Sequence, residues 1–526
     1  MDTRNCKEIY RAASKNSLSF AKGGDLSCPT IKRALASAKK QENSAKNQPE
    51  SIEEFIEEGA IDEESGDRWH SSDLAKALRF YQKAFDEYKS AARMGTADEK
   101  KSLQLAYYNG SRLLFHVYTQ YQRTDGVQIS DLKNVGEVID AGENSVIQEI
   151  HEIIKAHESC VEFAGDDAPT DLLFNTAMVY MDAVEDTETP EDAYRMVDRS
   201  MGLLKEILRR QVSELKILSQ GMALPQEGDE EAEPTSPSDL IDTVVSAFNL
   251  AQTLYEAVGT SAQDIETASS LMGELTRDAD EVATQVFDGS FSEDGTSSIT
   301  DEQKEEYLVA KAYVSAASCS NLEGMVAAWD DPALPESPER YMSAADCIDS
   351  FMQRSGISSG PNIDSESYWM GLNKMNQYFK LAQELLTARL QTVRANAVAS
   401  QAMGIGSIVS QIAKVYIARS DIDLQRSQLP LEQAVKNSAL LVNNAKAFLK
   451  NAMNLAKQTG GMREKAVEKI QREKRRIEAV CRLCVLEGKT QETELDSIVG
   501  VGRWQIEIDG LRDLWYFSIE QPSVQY

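Results

Sequence analysis

The sequence predicts an all-α fold, and three observations carry that prediction. From Ser51 onward the apolar residues recur at spacings of three and four, the period of an amphipathic helix. Alternating strand patterns are nearly absent. The composition leans on Ala, Leu, Glu, Gln, Ser and Lys, which helices favour or tolerate, with only 13 Pro in 526 residues. At 42% hydrophobic residues the chain can bury a sizeable core, and it is too long for one small domain.

The elements follow in order. Residues 1–50 hold ten Lys or Arg against five Asp or Glu and end in the polar run SAKKQENSAKNQPE, which offers little to bury. A basic, flexible arm is expected there, either simply solvated or serving as a targeting or docking segment. Residues 51–221 read as a helical block. Within it, 53–95 splits into two helices around the polar turn from His70 to Asp73, and the second carries Ala77-x3-Tyr81-x2-Ala84. Residues 222–239 contain three Pro, six acids and no base, so they predict an acidic disordered loop. A helix pair is expected over 240–286, a linker over 287–300 and a C-terminal helical block over 301–526. In that block Trp369, Leu372, Met375, Phe379, Ala382, Leu386, Leu390 and Val393 form one long stripe. Trp504, Ile508, Leu511 and Trp515 form a last stripe, read as a closing helix over the end of a stack.

The 53–95 hairpin resembles the tetratricopeptide repeat, which places a small residue in its first helix and Ala-x3-Phe/Tyr-x2-Ala in its second. Gly66 and Trp69 would take the small and aromatic first-helix positions, with Ala77, Tyr81 and Ala84 opposite. Three later segments echo the pattern: Tyr108 and Asn109 in 102–121, Ala177, Tyr180 and Ala193 in 170–208, and Asn249, Ala251 and Tyr255 in 240–258. The resemblance implies an α-solenoid, a divergent array of stacked antiparallel helix pairs with a C-terminal capping helix and a groove for another protein's helix or extended segment. An unrelated helical bundle is the competing reading. Co-chaperone members of the family clamp the acidic carboxyl tail of heat-shock chaperones. Here Asp67 follows Gly66 where that clamp needs Asn, and TDLLFNTAMVYM supplies no Lys or Arg, so the residues argue against that partner.

Chemistry is sparse. Cys481-x2-Cys484 lacks a second ligand pair at zinc spacing and lies on the stripe Val467, Ile470, Ile477, so core packing is expected. His151 and His157 face different sides of a helix. Gly488-Lys489-Thr490 lacks the first Gly of a phosphate loop, since Leu483 stands there, and Gly404-x-Gly406 and Gly500-x-Gly502 lack a third Gly. No nucleophile elbow is present and no carboxylate pair sits in an apolar setting. We therefore expect no enzyme, no cofactor and no metal. The run Arg472 to Arg476 reads as a solvated face, with an import patch or an acidic partner's seat as alternatives. Ser236-Pro237 in the acidic loop is a candidate phosphorylation site.

The formal charge of −30 argues against duplex DNA, whose binding runs on phosphate neutralisation. Seven scattered Cys fit a reducing interior. Residues 402–418 carry Lys414, Gln411, two Ser and two Gly, short of a bilayer span, and the first twenty residues lack a secretory h-region. A cytoplasmic or nuclear adaptor or scaffold that binds other proteins is the expectation. Its sharper alternative is an acidic chaperone for a basic client such as a ribosomal protein or histone. A helical enzyme with an unrecognised site is the second alternative.

Overall fold

The computed structural model describes residues 49–517 apart from 124–126, 133–141, 143, 188, 221–234, 292–298, 358–363, 396–403 and 462. The expected arm over 1–50 lies almost wholly outside the described residues. Among those residues there is no β-strand, and the helices pack as a helical repeat, consistent with a solenoid.

Two compact units divide the chain near residue 335. The N-terminal unit contains α1 (Ile52–His70), α2 (Leu74–Met94), α3 (Lys100–Tyr121), α4 (Ile150–Ala164), α5 (Thr170–Val184), α6 (Pro190–Ser219), α7 (Pro237–Ala257), α8 (Ala262–Phe287), α9 (Asp301–Ala317) and α10 (Leu322–Trp329). The turn between α1 and α2 is fixed by capping. His70 ends α1, and the Asp73 carboxylate accepts the Lys76 N–H at 3.0 Å to start α2. Glycine lets the two helices approach: a Cβ on Gly66 would run into the ring of Tyr81, and one on Gly59 would lie 2.5 Å from Tyr88. Both rings turn their hydroxyls to carboxylates of α1, Tyr81 to Asp67 at 2.7 Å and Tyr88 to Glu63 at 2.9 Å.

Successive helices pack on one another through this unit, and the odd-numbered ones also touch in series, α1 to α3 to α5 to α7 to α9. That is the stacking of helical hairpins. Helices α5 and α7 are buried on nearly every face, Leu172 to Val184 and Leu240 to Ala251 almost without a break. All-round burial explains why their sequences are apolar or small throughout and show little amphipathicity.

The C-terminal unit contains α11 (Pro338–Arg354), α12 (Ser365–Ala395), α13 (Ile405–Ser427), α14 (Glu432–Ala456), α15 (Ala466–Leu486), α16 (Glu492–Val499) and α17 (Gln505–Arg512). Helix α13 is central and packs against α12, α14 and α15. Cys481 and Cys484 are buried in an apolar cluster with Val480, Leu495, Trp504, Ile508 and Leu511. Burial pushes the Cys481 thiol up to about 12.

Several expectations need correction. Residues 301–335 belong with the N-terminal unit, because α9 packs on α7, so the C-terminal unit starts 35 residues later than expected. A loop's composition marks where the chain leaves the core, not whether the helices on either side share one. The loop expected to reach Asp239 ends sooner: Ser236 caps α7 in a reciprocal box with Asp239, and Pro237 takes the first turn. Trp515 lies beyond α17 and is exposed, while Leu514, Tyr516 and Phe517 turn inward. Arg472 is not on a solvated face. It is buried, donating to Ala456 O at 2.6 Å and Glu464 Oε1 at 2.7 Å, so it satisfies the C-terminal carbonyls of α14.

Candidate functional site

The ten residues nominated from sequence are mostly packing residues. Gly66, Ala77, Tyr81, Ala84, Asn109, Tyr180, Asn249 and Tyr255 are all buried. Tyr180 donates to Glu158, Tyr255 meets Ser269 Oγ at 2.7 Å, and Asn109 is 1% exposed. Trp69 and Tyr108 remain partly accessible: Lys76 Nζ lies 3.2 Å from the Trp69 ring centroid, and Tyr108 Oη accepts from Asn175 at 3.3 Å. Together these residues hold hairpins to one another. None of them lines either furrow described below.

An open furrow occurs elsewhere, in the C-terminal unit. Helices α12 and α14 both pack on α13 and leave a channel between them that encloses about 280 Å³, lined by Thr387, Leu390, Ile412, Tyr416, Asn451 and Asn454 among others. Ile412 and Tyr416 of α13 form its floor, and the same face of that helix continues beyond it, at spacings of three, four and three, through Arg419, Asp423 and Arg426. Tyr416 stacks on Phe448 at 6.1 Å between centroids, and the Arg419 guanidinium sits 4.4 Å from the same phenyl ring. Arg419 donates to Asn376 Oδ1 at 3.0 Å and Gln383 Oε1 at 2.5 Å, both on α12. Burial pulls the Arg419 guanidinium down from its ordinary range, with Asp423 acting against that shift. One turn on, Arg426 pairs with Asp423 at 2.9 Å and covers the Trp369 ring. Arg394 closes the opposite end by donating to Gln458 Oε1 at 2.8 Å.

A second furrow of similar size, between α6 and α8 in the N-terminal unit, is crossed by the Lys205–Glu274 ion pair. The α12–α14 furrow has amides on its wall instead, Asn451, Asn454 and Gln458, and farther along α12 the amides of Asn376 and Gln383 hold Arg419. Such groups each offer a donor and an acceptor side by side. Sequence reading passed over this site because Arg419 belongs to a helix that looked merely apolar. The available signal was charge. Residues 365–486 hold 19 Lys or Arg against 9 Asp or Glu, whereas 51–335 hold 21 against 58. The acidity ascribed to the whole body belongs to the N-terminal unit.

No group of three or more His, Cys, Asp or Glu able to hold a metal occurs among the described residues. Among those residues, no helix is long and apolar enough to cross a membrane.

Comparison with known proteins points to the unit that carries the furrow. A family model described as the YNL193W C-terminal domain matches residues 335–507, close to the bounds of the C-terminal unit. The uncharacterized protein YNL193W of Saccharomyces cerevisiae is 31% identical over 144 residues, covering 26% of this chain. The match spans 25% of the yeast protein's own length. No solved structure matches.

Proposed function

We propose that this chain is a non-enzymatic protein-binding scaffold built on tetratricopeptide-like hairpins, and that a partner docks in the furrow over α13. One observation carries the reading: the α12–α14 channel presents Tyr416, stacked on Phe448, on its floor and the amides of Asn451 and Asn454 on a wall, with no ion pair across its middle. A rigid floor with polar groups at defined positions suits recognition, since the side chains are already ordered before a partner arrives. Thr387 lines one wall, so Thr387→Trp fills the channel while leaving the buried face of α12 alone. Capture from a cell extract with the wild-type and Thr387→Trp chains tests the proposal. Partners that bind through the furrow disappear from the variant's set; an unchanged set refutes it.

The alternative, a chaperone that shields a basic client, draws support from the 58 acids against 21 bases over 51–335. Clients held that way leave at high salt and are indifferent to Thr387→Trp.

A further inference from the structure

The furrow is short of negative charge, and that shortage says what it takes. Arg419 is held by two neutral amide oxygens and a phenyl ring. Arg394 is held by one amide oxygen. Among the described residues no carboxylate lies within ion-pair distance of either, nor of Lys436 and Lys450 on α14. On α12, Lys380 shares the face of Asn376, Gln383 and Thr387 at 100° per residue and meets Glu384 only at 3.9 Å. The Nε of Arg426 is buried without a hydrogen-bond partner. The Arg419 guanidinium is half-buried with its hydrogen bonds on neutral amides, and Asp423 and Glu384 act on it only from beyond ion-pair distance, so burial removes water without supplying a contacting counter-charge.

We infer that the furrow binds an extended acidic segment of a partner protein, with a carboxylate of that segment seated on Arg419. This rests on the furrow's being the docking site. Extended backbone fits the walls, since each Asn or Gln edge can pair with a peptide group and a helix leaves none of those groups free along its length. Length fits too. From Asn376 to Arg394 the helix rises about 27 Å, room for roughly eight extended residues at about 3.3 Å each. Arg suits the anchor because its planar fork matches a carboxylate in two bonds. Nucleic acid is disfavoured. A long polyanion meets the repulsion of a chain with net charge −30, whereas a short segment feels mainly the charges within a Debye length of about 8 Å.

The test is fluorescence anisotropy on the full chain with three labelled probes: a decapeptide alternating Ser and Glu, its Ser–Gln counterpart, and a dT oligonucleotide of ten bases. The Ser–Glu peptide is expected to bind about tenfold more tightly than Ser–Gln, the scale of one charge-assisted contact, with the difference shrinking in high salt. Arg419→Gln is expected to remove the difference while leaving Ser–Gln affinity in place, an outcome that mere loss of folding cannot mimic. Arg419→Lys should restore part of it, and Thr387→Trp should abolish binding of both peptides. Equal affinity for the two peptides overturns the acidic-segment inference while the docking reading survives. No binding of either overturns the inference, and with it the furrow as a peptide site. Tighter, Arg419-dependent binding of the oligonucleotide replaces the peptide by a single strand and also overturns it.

Discussion

Replacing Glu63 by Gln should cost the N-terminal unit about 3–5 kcal/mol. The side chains of Glu63 and Arg112 are 3% and 4% exposed, and one guanidinium nitrogen lies 2.6 Å and 2.7 Å from the two carboxylate oxygens. Tyr88 adds a hydroxyl at 2.9 Å. The amide keeps the shape and removes the charge, so Arg112 on α3 is left ionised in a site with no water to stabilise it. Coulomb attraction in the intact pair roughly repays desolvation of both ions, so the large penalty belongs to the orphan, not to the pair. Replacing both residues by Met should therefore cost far less than Glu63→Gln, within about 2 kcal/mol of wild type. Hydrogen exchange of the α1 and α3 amides is the suitable assay, because the two units need not unfold together. An effect of this size lowers protection by a factor of about 10² to 5 × 10³. A loss below about 1 kcal/mol for Glu63→Gln, or a double variant as damaged as the single one, would refute the reasoning.

Gly66→Ala drives a methyl into the Tyr81 ring and should destabilise by about 1–3 kcal/mol, whereas Gly202→Ala on α6 meets open space and should stabilise by about 0.5–1 kcal/mol; thermal unfolding of the pair checks the contrast. The Cys481 thiol, at about 12, should resist a thiol reagent at pH 8 until the C-terminal unit is unfolded. Burial raises the half-buried Asp349 carboxyl to about 7 from its ordinary 3.8. The folded state therefore holds this proton over a window in which the unfolded state has lost it, and its contribution to stability falls as pH rises from about 4 to about 7. Asp349→Asn should remain neutral throughout and flatten that slope in denaturation curves taken between pH 5 and pH 8.

Much of the hairpin architecture was legible because its signals are local. The polar turn at His70 to Asp73 and the Gly66–Tyr81 pairing both follow from residues within one hairpin, where sequence spacing is nearly spatial spacing. The same signals misled as to function. A small residue opposite an aromatic reports that two helices touch, and touching residues are by construction the ones a partner cannot reach. Asn109, Asn249 and Tyr255 illustrate this: polar groups at repeat positions suggested a surface, but each is buried among the residues its helix packs against its neighbours. The boundary near 335 was missed for a related reason. It falls between α10 and α11, where DDPALPESP holds three Pro but spans too few residues to stand out as a linker, while the acidic 222–239 segment is longer and separates helices that pack together.

Charge shows most plainly what averaging conceals. A net −30 led to an acidic groove and a basic partner, yet the furrow lies in a stretch with 19 bases against 9 acids. Electrostatic recognition is decided within a Debye length of the contact, so the relevant sum runs over the walls of the channel and not over the chain. Along the face of α13 that continues from the floor, Arg419 and Arg426 stand against Asp423, which pairs with Arg426 at 2.9 Å and acts on Arg419 from farther off, as Glu384 does. Arg419 itself rests on an aromatic ring with its hydrogen bonds on two neutral amides. A site of that kind discriminates by the cost of leaving its cation unpaired, so its preference for an acidic segment over a neutral one should persist in any fragment or relative that keeps Arg419, Phe448 and the Asn376 and Gln383 amides together, whatever the net charge of the remainder.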